Sequence, residues 1–395
     1  MPNIKGIKLA AIHSGFRYKD KLDLSLITLP NKTNVACVLT KSSTPAAPVI
    51  WCKKIKNIGK ARALIVNSGN ANAHTGKKGL QTVKETVDYL SNNLGCKTNE
   101  VYVCSTGVIG EFLNTKKITS SIPKLIEQEA SSWKEVAESI CTTDTFIKGA
   151  KANCFIDKTN YKIIGIAKGS GMIFPNMGTM LAFIFTDLPL PSNILNRLLK
   201  EAVEKSFNSI TVDGDTSTSD TCLLFSLNSK PLNKSIKNIV DKRIQLFKKS
   251  LDNVLQSLAQ QIVCDGEGAS KFITVKVNAV KSYKIAKEIA LSVANSSLVK
   301  TAIAGEDPNW GRIVMAIGKE GSPIIQDKIS ISINKVKITH KGALVNNYKE
   351  EVVAKKMKSK NIEIDINMGT GKESATIWTC DLTKEYIKIN ADYRS

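Results

Sequence analysis

The stretch "MGTMLAFIF", residues 177–185, decides how the fold of this chain is predicted. Its apolar run, 180–185, predicts a buried strand, because nonpolar residues at successive positions leave neither face of a strand for solvent. Thr179 opens the run, and Gly178 before it carries no side chain. On this stretch alone, a turn before a buried strand is the more frequent explanation of that glycine.

The length of the chain, 395 residues, exceeds the size at which one hydrophobic core usually stops growing. We therefore expect two domains or two closely packed layers. No apolar run approaches the length of a membrane span, and the N-terminus lacks an apolar segment followed by a cleavage site. We expect no membrane association and a cytoplasmic location.

The formal net charge of +21 raises the question of nucleic-acid binding. The lysines are spread over nearly every segment, however, and the densest basic runs lack interleaved aromatic residues. The nine cysteines include no CxxC pair and no nearby histidine cluster, so neither a disulfide framework nor a zinc site is expected. We predict no bound nucleic acid and no metal.

Three segments show the periodicity of amphipathic helices. The first has an apolar face and a glycine stop at Gly95, and the face consists of Leu80, Val83, Val87, Leu90 and Leu94. The second follows the Thr179 strand, and Ser192 is predicted to be its N-cap. The third covers 241–263 and stops before "CDGEG".

Polar and apolar residues alternate in three later segments, 271–280, 327–338 and 361–369. Within the second of these, Ile329, Ile331 and Ile333 share one face. Half-buried strands of this kind suit antiparallel or mixed sheets covered by helices on one side. The predicted fold class is α+β, with layered sheets and helices and a smaller C-terminal α/β part.

The histidines restrict the chemistry that the chain can perform. Only His13, His74 and His340 exist, each isolated, so a histidine base for acyl transfer is not expected. A hydroxyl nucleophile activated by its own backbone amine is the remaining general solution, and it requires an internal threonine to become a chain terminus. Thr179 fits, because Gly178 leaves its carbonyl open to attack by the Thr179 hydroxyl.

Acyl transfer also needs hydrogen-bond donors aimed at the oxyanion. The segment "EVYVCSTGVIG", 100–110, reads as a strand that delivers Thr106 and Gly107 into a loop. A hydroxyl and a backbone N–H could converge there, although a plain glycine-rich strand-to-helix turn is more frequent in isolation.

A second loop, "TVDGDTSTSDT", resembles a carboxylate metal site because three aspartates lie close together in sequence (Asp213, Asp215 and Asp220). It lacks the bidentate glutamate and the spacing of a calcium loop. A hydrogen-bonded turn scaffold is therefore the better interpretation of this loop.

Together these loops resemble the ornithine acetyltransferase family, also called glutamate N-acetyltransferase or ArgJ. The resemblance rests on eight motifs that occur in order along almost the whole chain. They are "NSGNANAHTG" (67–76), "STGVIG" (105–110), "TTDT" (142–145), "AKGSGMIFPNMGTML" (167–181), "TVDGDTSTSDT" (211–221), "DGEGA" (265–269), "GEDPNWGRI" (305–313) and "CDLTKEYIKINADYRS" (380–395). Any one is weak, but eight in series are highly specific.

The resemblance implies a layered α/β sandwich of the self-processing ArgJ and DmpA-like fold, with a C-terminal lobe at about 280–395. It implies cleavage between Gly178 and Thr179 into an α chain, 1–178, and a β chain, 179–395, which stay together as α2β2. Thr179 would then move acetyl from N2-acetyl-L-ornithine to L-glutamate in a ping-pong cycle of arginine biosynthesis. No cofactor is implied. Some members of the family also use acetyl-CoA as donor, and the motifs do not separate the two kinds.

The resemblance also assigns roles to individual residues. Thr106 and Gly107 resemble the oxyanion pair, beside the nucleophile Thr179. The residues that resemble the substrate-binding set are Lys168, Glu267, Asn390, the terminal Ser395 and a threonine of "TTDT", for which we favour Thr143 over Thr142. A lysine suits the substrate α-carboxylate, and Glu267 suits the terminal ammonium of ornithine.

Two rival functions remain open on the sequence. A self-processing aminopeptidase of the related fold would hydrolyse peptides instead of passing acetyl to an amine, and it has no need of Lys168, Glu267 and the Asn390 tail together. A non-catalytic basic binding protein would be recognised by salt-dependent retention on nucleic acid.

Overall fold

The computed structural model describes residues 1–17, 20–128, 131–174 and 180–392. It consists of two compact units, Met1–Asn208 with Thr216–Ile262, and Ser209–Asp215 with Val263–Ser395. The predicted division at residue 178 depends on cleavage of a bond outside the described residues, so it stays a prediction.

The described residues of the first unit form two mixed sheets. Their strands are β1 (Lys8–Ile12), β2 (Leu24–Thr28), β3 (Asn34–Leu39), β4 (Ala63–Asn67), β5 (Val101–Ser105), β6 (Lys148–Ile156), β7 (Thr159–Lys168), β8 (Leu181–Thr186) and β9 (Thr221–Ser226). One sheet has the order β1-β2-β4-β5 and the other β3-β9-β8-β7-β6. The β4–β5 and β8–β9 pairs are parallel, and the remaining pairs are antiparallel.

The helices of the first unit lie between these strands in sequence. They are α1 (Ala47–Ile55), α2 (Gly76–Leu94), α3 (Thr115–Glu127), α4 (Trp133–Ser139), α5 (Ser192–Glu204) and α6 (Lys242–Cys264), with short 3-10 turns at Lys56–Ile58, Thr98–Glu100 and Phe207–Ser209. Ser209, the last residue of the third 3-10 turn, and the last two residues of α6 already belong to the second unit. Within the described part of the chain, no helix combines the length and hydropathy needed to span a bilayer.

The core of the first unit lies between the two sheets. Phe183 and Phe185 of β8, Phe225 of β9 and Tyr102 of β5 belong to one buried cluster, and the Phe185 and Phe225 rings stack 5.0 Å apart. Helices α2 and α3 cover the outer face of the four-stranded sheet. Helices α5 and α6 cover the five-stranded sheet, where α6 packs closely over Gly165 of β7. The predicted layered α/β sandwich is therefore confirmed, with four layers.

The second unit has one six-stranded sheet with the order β13-β12-β11-β14-β10-β15. Its strands are β10 (Phe272–Val280), β11 (Ser330–Ile333), β12 (Val336–His340), β13 (Ala343–Leu344), β14 (Asn361–Asn367) and β15 (Glu373–Cys380). Its helices are α7 (Tyr283–Ala294), α8 (Ser297–Ala304), α9 (Trp310–Gly318), α10 (Glu350–Met357) and α11 (Lys384–Ala391), with a 3-10 turn at Gln326–Lys328.

The alternation of β11 in the second unit matches the sequence pattern. Ile331 and Ile333 are buried with Ile329 in the cluster that the sheet forms with α7, α8 and α9, while the residues between them are partly exposed. Since β10 pairs parallel to β14 and antiparallel to β15, the sheet is mixed, as predicted.

Two details of the predicted helices are wrong. Leu80 is 41% exposed because it lies near the start of α2 at one edge of the apolar stripe, and Thr82 and Thr86 are buried instead. The hydroxyls of these threonines donate to backbone carbonyls one turn earlier, at 3.1 and 2.8 Å, so their burial leaves no polar group unsatisfied. Helix α5 begins at Ser192, and Pro191 before it is the N-cap without a side-chain hydrogen bond.

Candidate active site

The first unit brings the C-terminal ends of β5 and β7 together. Thr106 and Gly107 follow directly after β5, and Lys168 is the last residue of β7. The Lys168 ammonium donates a hydrogen bond to Thr106 Oγ1 at 3.3 Å. Both residues are 2% exposed, so the contact lies in the interior. Two residues that the sequence singled out separately are thus neighbours.

The loop at Gly107 tolerates only glycine. Its φ of +131° is a conformation that side chains rarely adopt, and an added Cβ would lie 2.3 Å from the carbonyl carbon of Gly69. The neighbouring backbone joins the first two motifs, since Thr106 N–H donates to Asn67 O at 3.0 Å and Val108 N–H to Gly69 O at 3.3 Å. The strand-to-loop transition is therefore fixed on both sides of Gly107.

Asp144 is the centre of the polar network around Lys168. Its carboxylate accepts hydrogen bonds from Thr142 N–H at 3.0 Å, Gly169 N–H at 2.7 Å and the Lys148 ammonium at 2.7 Å. The Lys168 ammonium lies 3.8 Å from the same carboxylate. Burial raises the pKa of Asp144, but the two lysines and the hydrogen bonds lower it by more, so the pKa lies well below its usual range.

Sequence reasoning missed the roles of Asp144 and Lys148. Asp144 belongs to the "TTDT" motif, but nothing in the spacing of that motif shows which groups its carboxylate contacts. Lys148 is the first residue of β6 and is fully buried, which lysine seldom is without a partner. An acidic and a basic residue four positions apart predict an ion pair within a helix, but Asp144 and Lys148 do not lie in one, so their spacing was only a weak indication of the pair.

The two threonines of "TTDT" have different partners. Thr142 Oγ1 accepts a hydrogen bond from Lys168 at 2.8 Å, whereas Thr143 Oγ1 and Ser170 Oγ share one at 2.7 Å. The carbonyl of Thr142 also accepts from the half-buried Lys21 at 3.3 Å. Burial is the main reason that the pKa of Lys21 is lowered. The threonine favoured from the motif, Thr143, is thus one residue removed from the Lys168 contact.

The charges of this network favour an anionic ligand. Lys21, Lys148 and Lys168 surround one described carboxylate, that of Asp144. A group of three ammonium ions with one carboxylate carries a net positive charge, which suits a carboxylate of a small substrate.

The start of β8 is described from Met180 onward. Met180 N–H donates to Asp220 Oδ1 at 3.0 Å, and its carbonyl accepts from Thr221 N–H at 3.1 Å. Asp220 is fully buried, and burial raises the pKa of its carboxyl well above the usual range. Gly178 and Thr179, the predicted cleavage site and nucleophile, lie outside the described residues.

The aspartates of "TVDGDTSTSDT" are divided between the two units. Asp213 and Asp215 belong to the second unit and Asp220 to the first. Asp215 N–H donates to Asp213 Oδ1 at 3.3 Å, which is the turn-type hydrogen bond expected of a loop scaffold. In the ranges that the structure describes, no group of three or more metal-ligating side chains is arranged to hold an ion.

The second unit joins Glu267 and Asn390. The Asn390 side-chain amide donates to Glu267 Oε2 at 2.9 Å and to the carbonyl of Tyr386 at 3.0 Å. Glu267 is buried, and Thr383 Oγ1 holds the adjacent Gly268 carbonyl at 2.6 Å, so the "DGEGA" loop is tied to helix α11. Ser395 lies outside the described residues.

Acidic groups surround Tyr386 in this part of the second unit. Burial raises the pKa of Tyr386, and the charges of Asp213, Glu267 and Asp215 raise it further. The Tyr386 hydroxyl donates to Asp213 Oδ2 at 3.4 Å. Several carboxylates near one half-buried phenol create a negative potential that suits an ammonium group.

Comparisons with known proteins give one consistent result. The model of the ArgJ family matches residues 8–395. The arginine biosynthesis bifunctional protein ArgJ of Bradyrhizobium diazoefficiens is 47% identical over 398 residues, which covers 100% of this chain and 96% of that protein. The protein of the same name from Zymomonas mobilis subsp. mobilis is 46% identical with the same coverage. The crystal structure of arginine biosynthesis bifunctional protein argJ from Bacillus halodurans has a TM-score of 0.50 and 35% identity, covering 53% of this chain and 97% of that chain.

Proposed function

Because this chain belongs to the ArgJ family of arginine-biosynthesis enzymes, we propose that it cleaves itself between Gly178 and Thr179 and then carries acetyl groups on Thr179. The enzyme is an acyltransferase of the glutamate N-acetyltransferase type, as the motifs predicted. The observation that carries the proposal is the contact of Lys168 with Thr106 beside the glycine-only turn at Gly107.

Self-cleavage begins with the Thr179 hydroxyl, whose oxygen attacks the carbonyl carbon of Gly178. The C–N bond of that peptide breaks as a C–O ester bond forms, and the Thr179 nitrogen takes the proton that the hydroxyl loses. Water then hydrolyses the ester and leaves a carboxylate on Gly178 and a free α-amine on Thr179. An unperturbed α-amine has a pKa of about 7.7–8.0, so it can act as a base near neutral pH.

In the acetyl transfer, this amine accepts the proton of the Thr179 hydroxyl as the oxygen attacks the acetyl carbonyl of N2-acetyl-L-ornithine. The tetrahedral intermediate places negative charge on the former carbonyl oxygen. Its collapse breaks the bond to the ornithine nitrogen, which receives the proton, and ornithine leaves. The α-amine of L-glutamate then attacks the acetyl-threonine ester, and N-acetylglutamate leaves by the reverse proton path in a ping-pong cycle.

Thr106 and Gly107 are the proposed oxyanion pair. Because Lys168 donates to Thr106 Oγ1, that oxygen is already an acceptor, and its own O–H is left to donate toward the intermediate. The Lys168 ammonium is held by Thr142 on its other side. Because Lys168 is buried and held by these two hydrogen bonds, it orients the Thr106 hydroxyl in advance, which supports the oxyanion role of Thr106.

Charge supports the proposed substrates. The lysine-rich network of the first unit suits the carboxylates of glutamate and acetylornithine. Glu267, held by Asn390, suits the terminal ammonium of ornithine. We assign Thr143 to the same substrate-binding set on the motif alone, together with Ser395. Acetyl-CoA as a second donor, the absence of a cofactor, an α2β2 assembly and a cytoplasmic location are parts of the proposal.

Intact mass of the purified protein tests the self-cleavage. We expect wild type and Thr179→Ser to give two chains, 1–178 and 179–395, because both keep a hydroxyl, and Thr179→Ala to give one uncut chain. A wild-type chain that stays whole after prolonged incubation would refute the mechanism.

Acetyl transfer is then measured on the cleaved protein with N-acetylornithine or acetyl-CoA as donor and glutamate as acceptor. Product from both donors indicates the bifunctional enzyme, and product from acetylornithine alone indicates the single activity. Hydrolysis of aminoacyl amides without acetyl transfer would favour the aminopeptidase instead.

A further inference from the structure

Asp220 is a buried carboxyl group that the proposed mechanism does not use. It is fully buried immediately before β9. Its Oδ1 accepts a hydrogen bond from Met180 N–H at 3.0 Å. Its Oδ2 is also buried and makes no hydrogen bond of ordinary geometry in the part of the chain that the structure describes, although the Thr40 side chain lies close enough to lower the pKa of the carboxyl. A buried carboxyl oxygen that is so weakly paired costs free energy, so its retention calls for a reason.

The backbone around Asp220 is fixed on two sides. Its carbonyl accepts a hydrogen bond from Thr40 N–H at 3.0 Å, next to β3. The following N–H, that of Thr221, donates to the carbonyl of Met180 at 3.1 Å. Met180 is therefore clamped through its N–H by the Asp220 side chain and through its carbonyl by the Asp220–Thr221 backbone.

This clamp acts one bond away from the proposed nucleophile. The nitrogen of Met180 is covalently joined to the carbonyl carbon of residue 179, about 1.33 Å away. Because a peptide group is planar, a group that fixes the Met180 N–H also restricts the orientation of the peptide bond between residues 179 and 180.

We propose that Asp220 is a positioning residue for the chemistry of Thr179, in which its carboxyl group holds the first peptide after the nucleophile in the orientation that cleavage and acetyl transfer need. The inference rests on the proposed function, because it concerns the same nucleophile. Its physical basis is that attack by a hydroxyl depends steeply on the placement of the reacting atoms.

Burial favours the neutral form of the Asp220 carboxyl in this role. It raises the pKa of Asp220, and the Met180 N–H, the Thr40 side chain and the charge of Lys168 offset this only in part. A neutral carboxyl offers a carbonyl oxygen to Met180 N–H and keeps one O–H to donate. It also adds no negative charge near the Lys168 ammonium, which contacts Thr106 of the proposed oxyanion pair.

The test compares Asp220→Ala, Asp220→Leu and Asp220→Asn with wild type. Alanine and leucine remove the acceptor, and leucine also fills the space should the alanine variant fail to fold. Asparagine keeps an acceptor for Met180 N–H and a donor at the second position, as the neutral acid does. Asp252→Asn is the matched control, because Asp252 also has a buried carboxyl oxygen without a described partner but lies in α6.

We measure the rate of self-cleavage by intact mass, and kcat and KM per mole of cleaved chain. Asp220→Ala and Asp220→Leu should slow cleavage and lower kcat by about 10-fold or more while KM for both substrates changes little, as expected of misplaced reacting groups. Asp220→Asn should retain cleavage and kcat within about 3-fold of wild type, a difference of less than about 1 kcal/mol in barrier. Asp252→Asn should behave as wild type.

Two results would overturn the inference. One is cleavage and kcat of Asp220→Ala or Asp220→Leu that equal those of wild type. The other is a folded Asp220→Asn variant as impaired as the leucine variant, since a negative charge would then be the required feature. An uncut wild-type chain would overturn the proposed function and this inference with it, whereas a cut wild type beside a normal Asp220→Leu overturns the inference alone.

Discussion

The ammonium of Lys148 lies 2.7 Å from the carboxylate of Asp144, and neither side chain is exposed to solvent. The same carboxylate holds the loop at Thr142 and the backbone at Gly169, on either side of Lys168. A buried ion pair with several hydrogen bonds thus holds the backbone of the candidate active site at Thr142 and Gly169. Its free energy depends on both partners, because an unpaired buried charge is strongly destabilising.

Asp144→Asn should lower the free energy of unfolding by about 3–5 kcal/mol, because it leaves the Lys148 ammonium buried without its counter-charge. Lys148→Met should cost a similar amount, and the double variant should lose clearly less than the sum of the two. Urea unfolding in the uncut Thr179→Ala chain measures these energies on one polypeptide. Strict additivity would show that the pair is not coupled.

The same pair predicts a dependence of stability on pH. The pKa of Asp144 is lowered in the folded protein, so its contribution is present above the unfolded pKa of about 3.9 and is lost as pH falls through the folded value. The difference in unfolding free energy between wild type and Asp144→Asn should therefore be constant from pH 7 to 5 and shrink below about pH 4. A difference that grows on acidification contradicts the assignment.

Gly107→Ala tests the turn beside Thr106. The new Cβ would meet the Gly69 backbone at 2.3 Å, so the loop must move and its N–H with it. We expect kcat to fall by about 10²–10³-fold, as when one oxyanion donor is lost. Gly110→Ala is the matched control, because Gly110 also has a positive φ of +88° but nothing lies within 4 Å of its Cβ position. Equal losses in both variants would point to backbone strain alone.

Thr142→Val and Thr143→Val separate two roles within one motif. Valine at 142 removes the acceptor of Lys168, so kcat should fall by about 10-fold or more, the size expected for a hydrogen bond to a charged group. Valine at 143 removes only the bond shared with Ser170 and the proposed substrate contact. It should raise KM with little change in kcat. Measurement of kcat and of KM for acetylornithine and glutamate in both variants separates the two roles. A rise in KM for Thr142→Val with a loss of kcat for Thr143→Val would exchange the two assignments.

Glu267→Gln removes the charge proposed to recognise the terminal ammonium of ornithine but keeps an oxygen for Asn390. KM for acetylornithine should rise by about 10-fold or more, and KM for glutamate should stay near that of wild type, because glutamate lacks that ammonium. Glu385→Gln, an exposed charge on α11 beside Lys388, is the control and should change neither constant. A rise in KM for glutamate alone contradicts the assignment.

Much of the fold was predictable from local patterns. The apolar run at 180–185 overlaps β8, which is Leu181–Thr186. The helix predicted at 241–263 is α6, and its buried apolar face includes Ile244, Phe247, Leu251, Val254, Leu258 and Ile262. These predictions hold because burial follows the period of each element. The prediction that Leu80 lies on the buried face of α2 was wrong, because this residue lies at the edge of the apolar stripe and is exposed. Thr82 and Thr86, whose hydroxyls donate to carbonyls of the same helix, are buried instead.

The candidate site was predictable in its members but not in its contacts. The motifs named Thr106, Lys168, Glu267 and Asn390, and the structure shows the first two bonded to each other and the last two bonded to each other. Asp144, Lys148 and Asp220 were not predicted as parts of a network, because their importance comes from partners that lie far from them in sequence or from burial.

The sequence by itself determined the family of this chain and its α+β class, since motifs and periodicity are local properties. It also led to the prediction that Thr179, which follows Gly178, is the nucleophile. The tertiary structure alone decided which oxygen Lys168 contacts, that the pKa of Asp144 is lowered and that the pKa of Asp220 is raised. The reason is physical: the two aspartates are the same residue type, but the buried ammonium ions and hydrogen bonds outweigh burial at Asp144, whereas burial outweighs them at Asp220.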